Sequence, residues 1–276
     1  VRSLVLAGLS GGSGKSVVSV GLIAALKNRG RGGAPFKKGP DYIDAGWMSK
    51  AAGQPCYNLD PYLMTPEAIV STFQRHIHGS GFAVVEGNRG IFDGVNAAGE
   101  FSTAELAQQL DLPVLLVVNC AKMTRTVAAL VLGCQAFDPR LHFAGVILNQ
   151  IATSRHESII RQSLENYTDL PVLGIMPRLK QDIFPMRHLG VTPHHEYEAA
   201  GEAVNNLAAL AETHFDFDAI IARMREVIPL PPKRASHTTA KLTVGVLRDA
   251  AFQFYYEDNL EALESAGARL VMIDAL

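Results

Sequence analysis

The chain has 276 residues, of which 48% are hydrophobic and 19% charged, and a formal net charge of −2, a globular composition with room for one large domain or two smaller ones. The lack of a basic excess argues against a nucleic-acid backbone or an anionic membrane as partner, and the longest apolar run, residues 112–118, is far shorter than the roughly 20 residues of a membrane helix. Three cysteines, Cys56, Cys120 and Cys134, are widely spaced and odd in number, which fits free thiols in a reducing, cytoplasmic setting. The chain begins on Val1 rather than Met, so further residues are expected ahead of it in the natural protein.

Taken in order, "LVLA" at 4–7 is continuously apolar, the pattern of a strand covered on both faces. It runs into "GLSGGSGKS" at 8–16 and then into Val18, Leu22, Ala25 and Leu26 at helical spacing, stopped by a basic end and Gly30. Strand, glycine-rich turn and helix together are the setting of a P-loop. There the N–H groups of Gly11, Gly12, Ser13 and Gly14 face an anion, Lys15 reaches the outer phosphates and the Ser16 hydroxyl binds Mg²⁺. The usual spacing is G-x-x-x-x-G-K-[ST], and here the first glycine, Gly8, stands one residue further out. The other reading is a glycine-rich connection without a ligand; Gly-Lys-Ser with the correct flanks favours the nucleotide site.

Ala34-Pro35-Phe36 is a short strand-like piece followed by "KKGPDYIDAG". Its Asp41 and Asp44 fall in a predicted loop, either as metal-associated carboxylates or as a solvated acidic turn. The run 82–85 ends in Glu86, whose carboxylate either holds Mg²⁺, directly or through water, or caps the strand end. Residues 113–118, 144–148 and 171–175 read as further buried strands, with helical patterns at 122–137 and 155–167 between them. Alternation of this kind predicts an α/β fold, a doubly wound, mostly parallel sheet of the P-loop NTPase type with ligands at the carboxyl ends of its strands.

Two more helical stretches, 196–213 and 216–227, lead to "IPLPPKRASHTTA" at 228–240, a linker composition. Beyond it, "KLTVGVL", a helix over 257–266 and "ARLVMI" make one β-α-β unit. Such a unit is too small to cover its own apolar faces and reads as the start of a second α/β domain. The predicted division is therefore 1–227, 228–240 and 241–276.

There are nine histidines. His76 and His78, two apart on a predicted helix, face different sides, and His194-His195 are adjacent, so neither pair has a catalytic zinc spacing. None of the three cysteines sits in a G-x-C-x-G nucleophile elbow.

Together, "GLSGGSGKS", "FKKGPDYID" at 36–44, "LDPY" at 59–62, "VVEGNRGIFDG" at 84–94, "GVILNQIATSRH" at 145–156, "PVLGIMPR" at 171–178 and "RHLGVTP" at 187–193 resemble the cobyrinic acid a,c-diamide synthase family over almost the whole chain. That family's loop carries the same extra residue. The resemblance implies an ATP-dependent amidoligase domain over 1–227, related to dethiobiotin synthetase. It also implies that 241–276 is the incomplete start of a class I glutaminase-like domain whose ammonia-producing cysteine lies beyond residue 276.

The resemblance further implies ATP and Mg²⁺ as cofactors, a tetrapyrrole polycarboxylate as substrate and glutamine or ammonia as nitrogen source. Lys15, Asp44 and Glu86 are then catalytic, and Ser16, Asp44 and Glu86 hold the metal. Asn149 joins the loop in binding nucleotide, while Lys38, Asp41, Tyr42, Arg89 and Asp93 contact substrate. His156 and His188 lie in family-like segments, as substrate or nucleotide contacts or as surface histidines. Asn88-Arg89 departs from the family, whose residues there are more often apolar, and Arg89 either pairs with a substrate carboxylate or locally with Asp93. A homodimer is the base-rate expectation for such folds. The alternative is a regulatory ATPase switch of the partitioning type that binds a protein partner. Those proteins carry an additional lysine early in the loop, where this chain has Ser10 and Gly11. A GTPase lacks its Asn-Lys-x-Asp base reader here.

Overall fold

The computed structural model describes residues 1–179, 193–231, 242–249 and 251–276, and the strand pairing of 186–187 with 190–191. Its centre is a parallel sheet of β1 (Arg2–Gly8), β2 (Gly33–Lys38), β3 (Tyr57–Leu59), β4 (Phe82–Glu86), β5 (Val114–Asn119), β6 (Phe143–Ile151) and β7 (Val172–Pro177), in the order β3-β2-β4-β1-β5-β6-β7. The continuous apolar runs exist because both faces are covered. Leu4, Leu6, Val84, Leu115 and Val117 pack on one side with α1 (Lys15–Asn28) and α2 (Tyr42–Ala52). Val5, Ala7, Val85, Leu116 and Val118 pack on the other with α3 (Pro66–His76), α4 (Thr103–Leu110), α5 (Thr126–Phe137) and α6 (Ser154–Tyr167). Thr65, Ser102 and Thr153 start α3, α4 and α6 by accepting the N–H groups of Ala68, Glu105 and His156, the usual service of an N-cap side chain.

After the antiparallel pair β8 (Met186–Arg187) and β9 (Gly190–Val191), α7 (Ala200–His214) and α8 (Phe217–Arg223) complete the first face. α1 and α7 approach closely at Gly21, where a Cβ would lie 2.9 Å from the Leu207 carbonyl oxygen and 3.5 Å from the Ala211 Cβ. Gly21→Val is therefore expected to destabilise the protein by about 1–3 kcal/mol through overpacking, read from the urea midpoint. An unchanged midpoint would contradict the close approach.

Several helical predictions are shorter in the structure, and the 196–213 pattern becomes α-helical only at Ala200. The 216–227 pattern stops at Arg223, and β10 (Arg225–Glu226) turns back antiparallel onto β1. β5 pairs with β1 only from Val5 onward, so Arg2 and Ser3 have an open edge, which β10 fills. The 122–137 pattern becomes helical only at Thr126, after Lys122 takes a left-handed conformation with φ 58°.

At the C-terminal end, β11 (Leu242–Leu247), α9 (Glu257–Ser265) and β12 (Ala268–Ile273) form the predicted β-α-β unit, its strands parallel. It leans on the main body through several polar and ring contacts. Tyr57 donates its hydroxyl to Glu261 at 2.6 Å, Tyr256 donates to Asp60 at 3.0 Å, and Tyr42 stacks on Phe254 with ring centres 5.1 Å apart. Among the described residues no helix is long and apolar enough to cross a membrane. Most of the 228–240 segment lies outside the described residues.

Candidate functional site

β1 ends at Gly8 where the chain order reverses, with β4 on one side and β5 on the other; such switch points are where doubly wound sheets bind ligands. The loop is folded on itself. The Ser13 hydroxyl donates to the Ser10 carbonyl at 2.9 Å and accepts the Ser10 N–H at 3.0 Å. Gly14 sits at φ 93°, and a Cβ there would collide with the Asn149 side chain, so only glycine fits. Asn149 projects from the end of β6, is 4% exposed and donates through Nδ2 to the Ser13 carbonyl at 2.9 Å. It holds the loop from beneath. Lys15 turns back over the loop and donates to the carbonyls of Ser10 at 3.1 Å and Arg89 at 2.8 Å. Burial lowers its pKa, with Glu86 opposing.

The carboxylates converge beside this loop. Glu86, at the end of β4 and fully buried, accepts from Ser16 at 3.3 Å through Oε1 and from Ser19 through Oε2. Asp41 and Asp44 do not lie in a loop as the sequence suggested. Asp41 is the N-cap of α2 and accepts the Asp44 N–H at 3.1 Å, which puts Asp44 in the first helical turn. At the centre is a residue that sequence reasoning missed. Lys37, 1% exposed, donates to Glu86 Oε1 at 2.7 Å, Asp44 Oδ2 at 2.9 Å and the Gly87 carbonyl at 3.3 Å, and lies 3.6 Å from Asp41 Oδ2.

These charges perturb one another. Burial pushes the Glu86 carboxyl up to about 7 against the pull of Lys37. Burial also disfavours the Lys37 ammonium, yet Glu86, Asp44 and Asp41 outweigh it and raise its pKa. Burial would raise Asp44, but Lys37 holds it down at about 2. The register of β2 on β4 sets Lys37 directly beside Glu86, so opposite charges at the ends of neighbouring strands were the available signal. Lys38 faces the other way, 8% exposed, its pKa lowered by burial with Asp60 opposing.

The other predicted residues are more scattered. Tyr42 lines a cavity of ≈ 470 Å³ between α2 and the side chains of Arg248, Asp249, Phe254 and Glu257, and does not join the acidic cluster. Arg89 is exposed in a left-handed conformation at φ 52°. Asp93 accepts the Gly90 N–H at 2.9 Å, and the local Arg89–Asp93 pair is not among the ion pairs of the described residues. His156 accepts the Ala152 N–H at 3.3 Å and faces the Met123 carbonyl at 2.6 Å, a structural role. His188 falls outside the described residues. His76 is the last residue of α3, with His78 beyond the helix, and its ring nitrogen lies 3.0 Å from Asp258 and 3.6 Å from Glu261. No local spacing rule reveals that grouping. All three cysteines are buried, and burial pushes the thiols of Cys120 and Cys134 up to about 12 and about 11, which leaves them unreactive near neutrality.

A glycine loop between a buried strand and a helix, with a lysine and a hydroxyl at the helix start, gives this region the architecture of a P-loop nucleotide-binding domain. The chain belongs to the CobQ/CobB/MinD/ParA nucleotide binding domain family, whose model matches residues 4–189. It is 42% identical to a cobyrinate a,c-diamide synthase of Magnetococcus marinus over 96% of this chain and 58% of that protein. It is 38% identical to one of Archaeoglobus fulgidus over 100% of this chain and 61% of that protein. The resemblance seen in the motifs is thus borne out, and the chain spans about three fifths of the length of these curated relatives. A solved MinC:MinD cell division protein complex of Aquifex aeolicus aligns with a TM-score of 0.48 at 14% identity, over 83% of this chain and 98% of that one.

Proposed function

We propose that this chain is the ATP-dependent amidating part of a ligase like the cobyrinate a,c-diamide synthases, converting side-chain carboxylates of a polycarboxylate tetrapyrrole to amides with ammonia. The observation that carries this reading is the contact between the loop hydroxyl of Ser16 and the strand-end carboxylate of Glu86 at 3.3 Å. With Asp44 alongside, it makes an all-oxygen donor set at the mouth of an anion-binding loop, which suits Mg²⁺ and a triphosphate. Nothing specific favours the partitioning switch.

A carboxylate resists ammonia because its leaving group would be oxide. ATP supplies the phosphoryl group that turns it into an acyl phosphate, from which ammonia displaces phosphate. The chain's own task is positioning and charge neutralisation. In this reading the N–H groups of Gly11, Gly12, Ser13 and Gly14 cradle phosphate, Lys15 swings from its carbonyl partners to the outer phosphates, and Ser16, Asp44 and Glu86 hold Mg²⁺. Asn149 supports the nucleotide site through Ser13. Arg89, exposed at the rim, pairs with a substrate carboxylate, and Asp93 fixes the turn that presents it. Asp41 steadies α2 under Asp44, while Lys38 and Tyr42 border the macrocycle. Residues 1–227 would be the amidating unit and 241–276 the beginning of a glutaminase-like one. Three buried free thiols suit a reducing, cytoplasmic setting.

The test is ADP release in the presence of Mg²⁺ and ammonium, with and without a cobyrinate-type tetrapyrrole. Release that rises on adding the macrocycle is the expected result. Release indifferent to every tetrapyrrole polycarboxylate would overturn the proposal.

A further inference from the structure

We propose that Lys37 is a built-in counter-ion that stands in for the divalent cation in the metal-free protein, and so sets how tightly the acidic cluster binds that cation. The inference rests on the Mg²⁺ reading of the same cluster given above. Three elements meet at the Lys37 ammonium: β2 carries it, α2 brings Asp41 and Asp44, and β4 brings Glu86. A structural ion pair needs one carboxylate, and burying more of them around a single cation is costly. Here three carboxylates face one ammonium; in their fully ionised form they exceed it by two negative charges, the charge of one divalent ion. The other nearby ammonium, on Lys15, is turned onto the carbonyls of Ser10 and Arg89.

The shared oxygen is the second part of the argument. Lys37 and Ser16 donate to the same atom, Glu86 Oε1, at 2.7 Å and 3.3 Å. The ammonium therefore sits on the oxygen that joins the loop hydroxyl to the cluster, where a hard cation would draw its donors. Before a metal arrives, the Lys37 ammonium holds the three carboxylates gathered around one point. Once a metal is present, its positive charge opposes the newcomer in a site little screened by water. Lys37 is thus a positioning residue with a double effect, preforming the cluster while weakening its grip on the cation.

Removing the charge separates these effects. In the full chain, without nucleotide, Lys37→Met is expected to bind Mg²⁺ or Mn²⁺ at least about 10-fold more tightly than the parent, measured by calorimetry or by the Mn²⁺ electron-spin signal. Its thermal midpoint should fall in EDTA and recover on adding Mg²⁺ by more than the parent gains. Lys37→Arg, which keeps the charge, should bind the metal much as the parent does. Should the methionine variant remain unfolded with and without metal, Lys37→Gln, which retains a donor for Glu86, reads the same affinity shift. Metal binding in the neutral variants that is unchanged or weaker would overturn the inference, because a residue with a merely structural role can only loosen the site when lost. A parent protein that binds no divalent ion, with or without ATP, would overturn the reading of the cluster and the inference with it.

Discussion

Lys15→Ala is expected to lower ATP turnover by at least about 10²-fold, the scale of losing one preorganised charge-stabilising donor, while leaving the thermal midpoint close to that of the parent. Lys15 opens α1, whose hold on the fold comes from Val18, Leu22, Ile23, Ala25 and Leu26, all fully buried. Among the described residues its hydrogen-bond partners are the main-chain carbonyls of Ser10 and Arg89, which water can satisfy once the side chain is gone. The ammonium can therefore leave at little structural cost and move to an incoming phosphate. ADP release at saturating Mg²⁺ and ATP, read beside the unfolding midpoint, checks this. A variant as stable as the parent and within a few-fold of its turnover would show that Lys15 is not the phosphate ligand.

Trp47→Ala is expected to cost about 3–5 kcal/mol, the usual penalty for emptying a large aromatic site in a core, against a total stability of about 5–15 kcal/mol for most domains. Trp47 is fully buried on α2, in the cluster shared with α1 and α7, and its ring meets those of His194 and Tyr197 at 6.3 Å each. The same helix begins with the Asp41 cap and carries Asp44 to Lys37. The variant should thus lose divalent-ion affinity as well as stability. Urea unfolding followed by circular dichroism is the suitable measurement, since this is the only tryptophan of the chain. A loss below about 1 kcal/mol would contradict its role as the anchor of α2.

How much of this was legible in the sequence depended on whether the signal was local. β1 and β4 to β7 were visible as apolar runs because helices cover both faces of the sheet, and the loop from Gly8 to Ser16 was visible because its flanks are contiguous with it. α2 was not. Its buried residues Ala45, Trp47, Met48, Ala51 and Ala52 are interrupted by Gly46 and follow Gly39-Pro40, so Asp41 and Asp44 read as loop acids when they are the cap and first turn of a helix. Lys37 and Lys38 look equivalent in one dimension. Strand alternation sends them to opposite faces, and only the register of β2 on β4 tells which one meets Glu86. Asn149 was expected at the nucleotide, but the contact that defines it runs to Ser13, 136 residues away. β10 is a strand only because β1 leaves an edge for it.

Amidation is read most directly from the mass of the macrocycle after incubation with this chain, ATP, Mg²⁺ and ammonium, which takes the place of any glutamine-derived ammonia. Cobyrinate is expected to become lighter by one mass unit for each amide formed, with matching ADP release, and to keep its mass when Lys15 is replaced by alanine. ATP consumed while every macrocycle keeps its mass would contradict amidation by this chain.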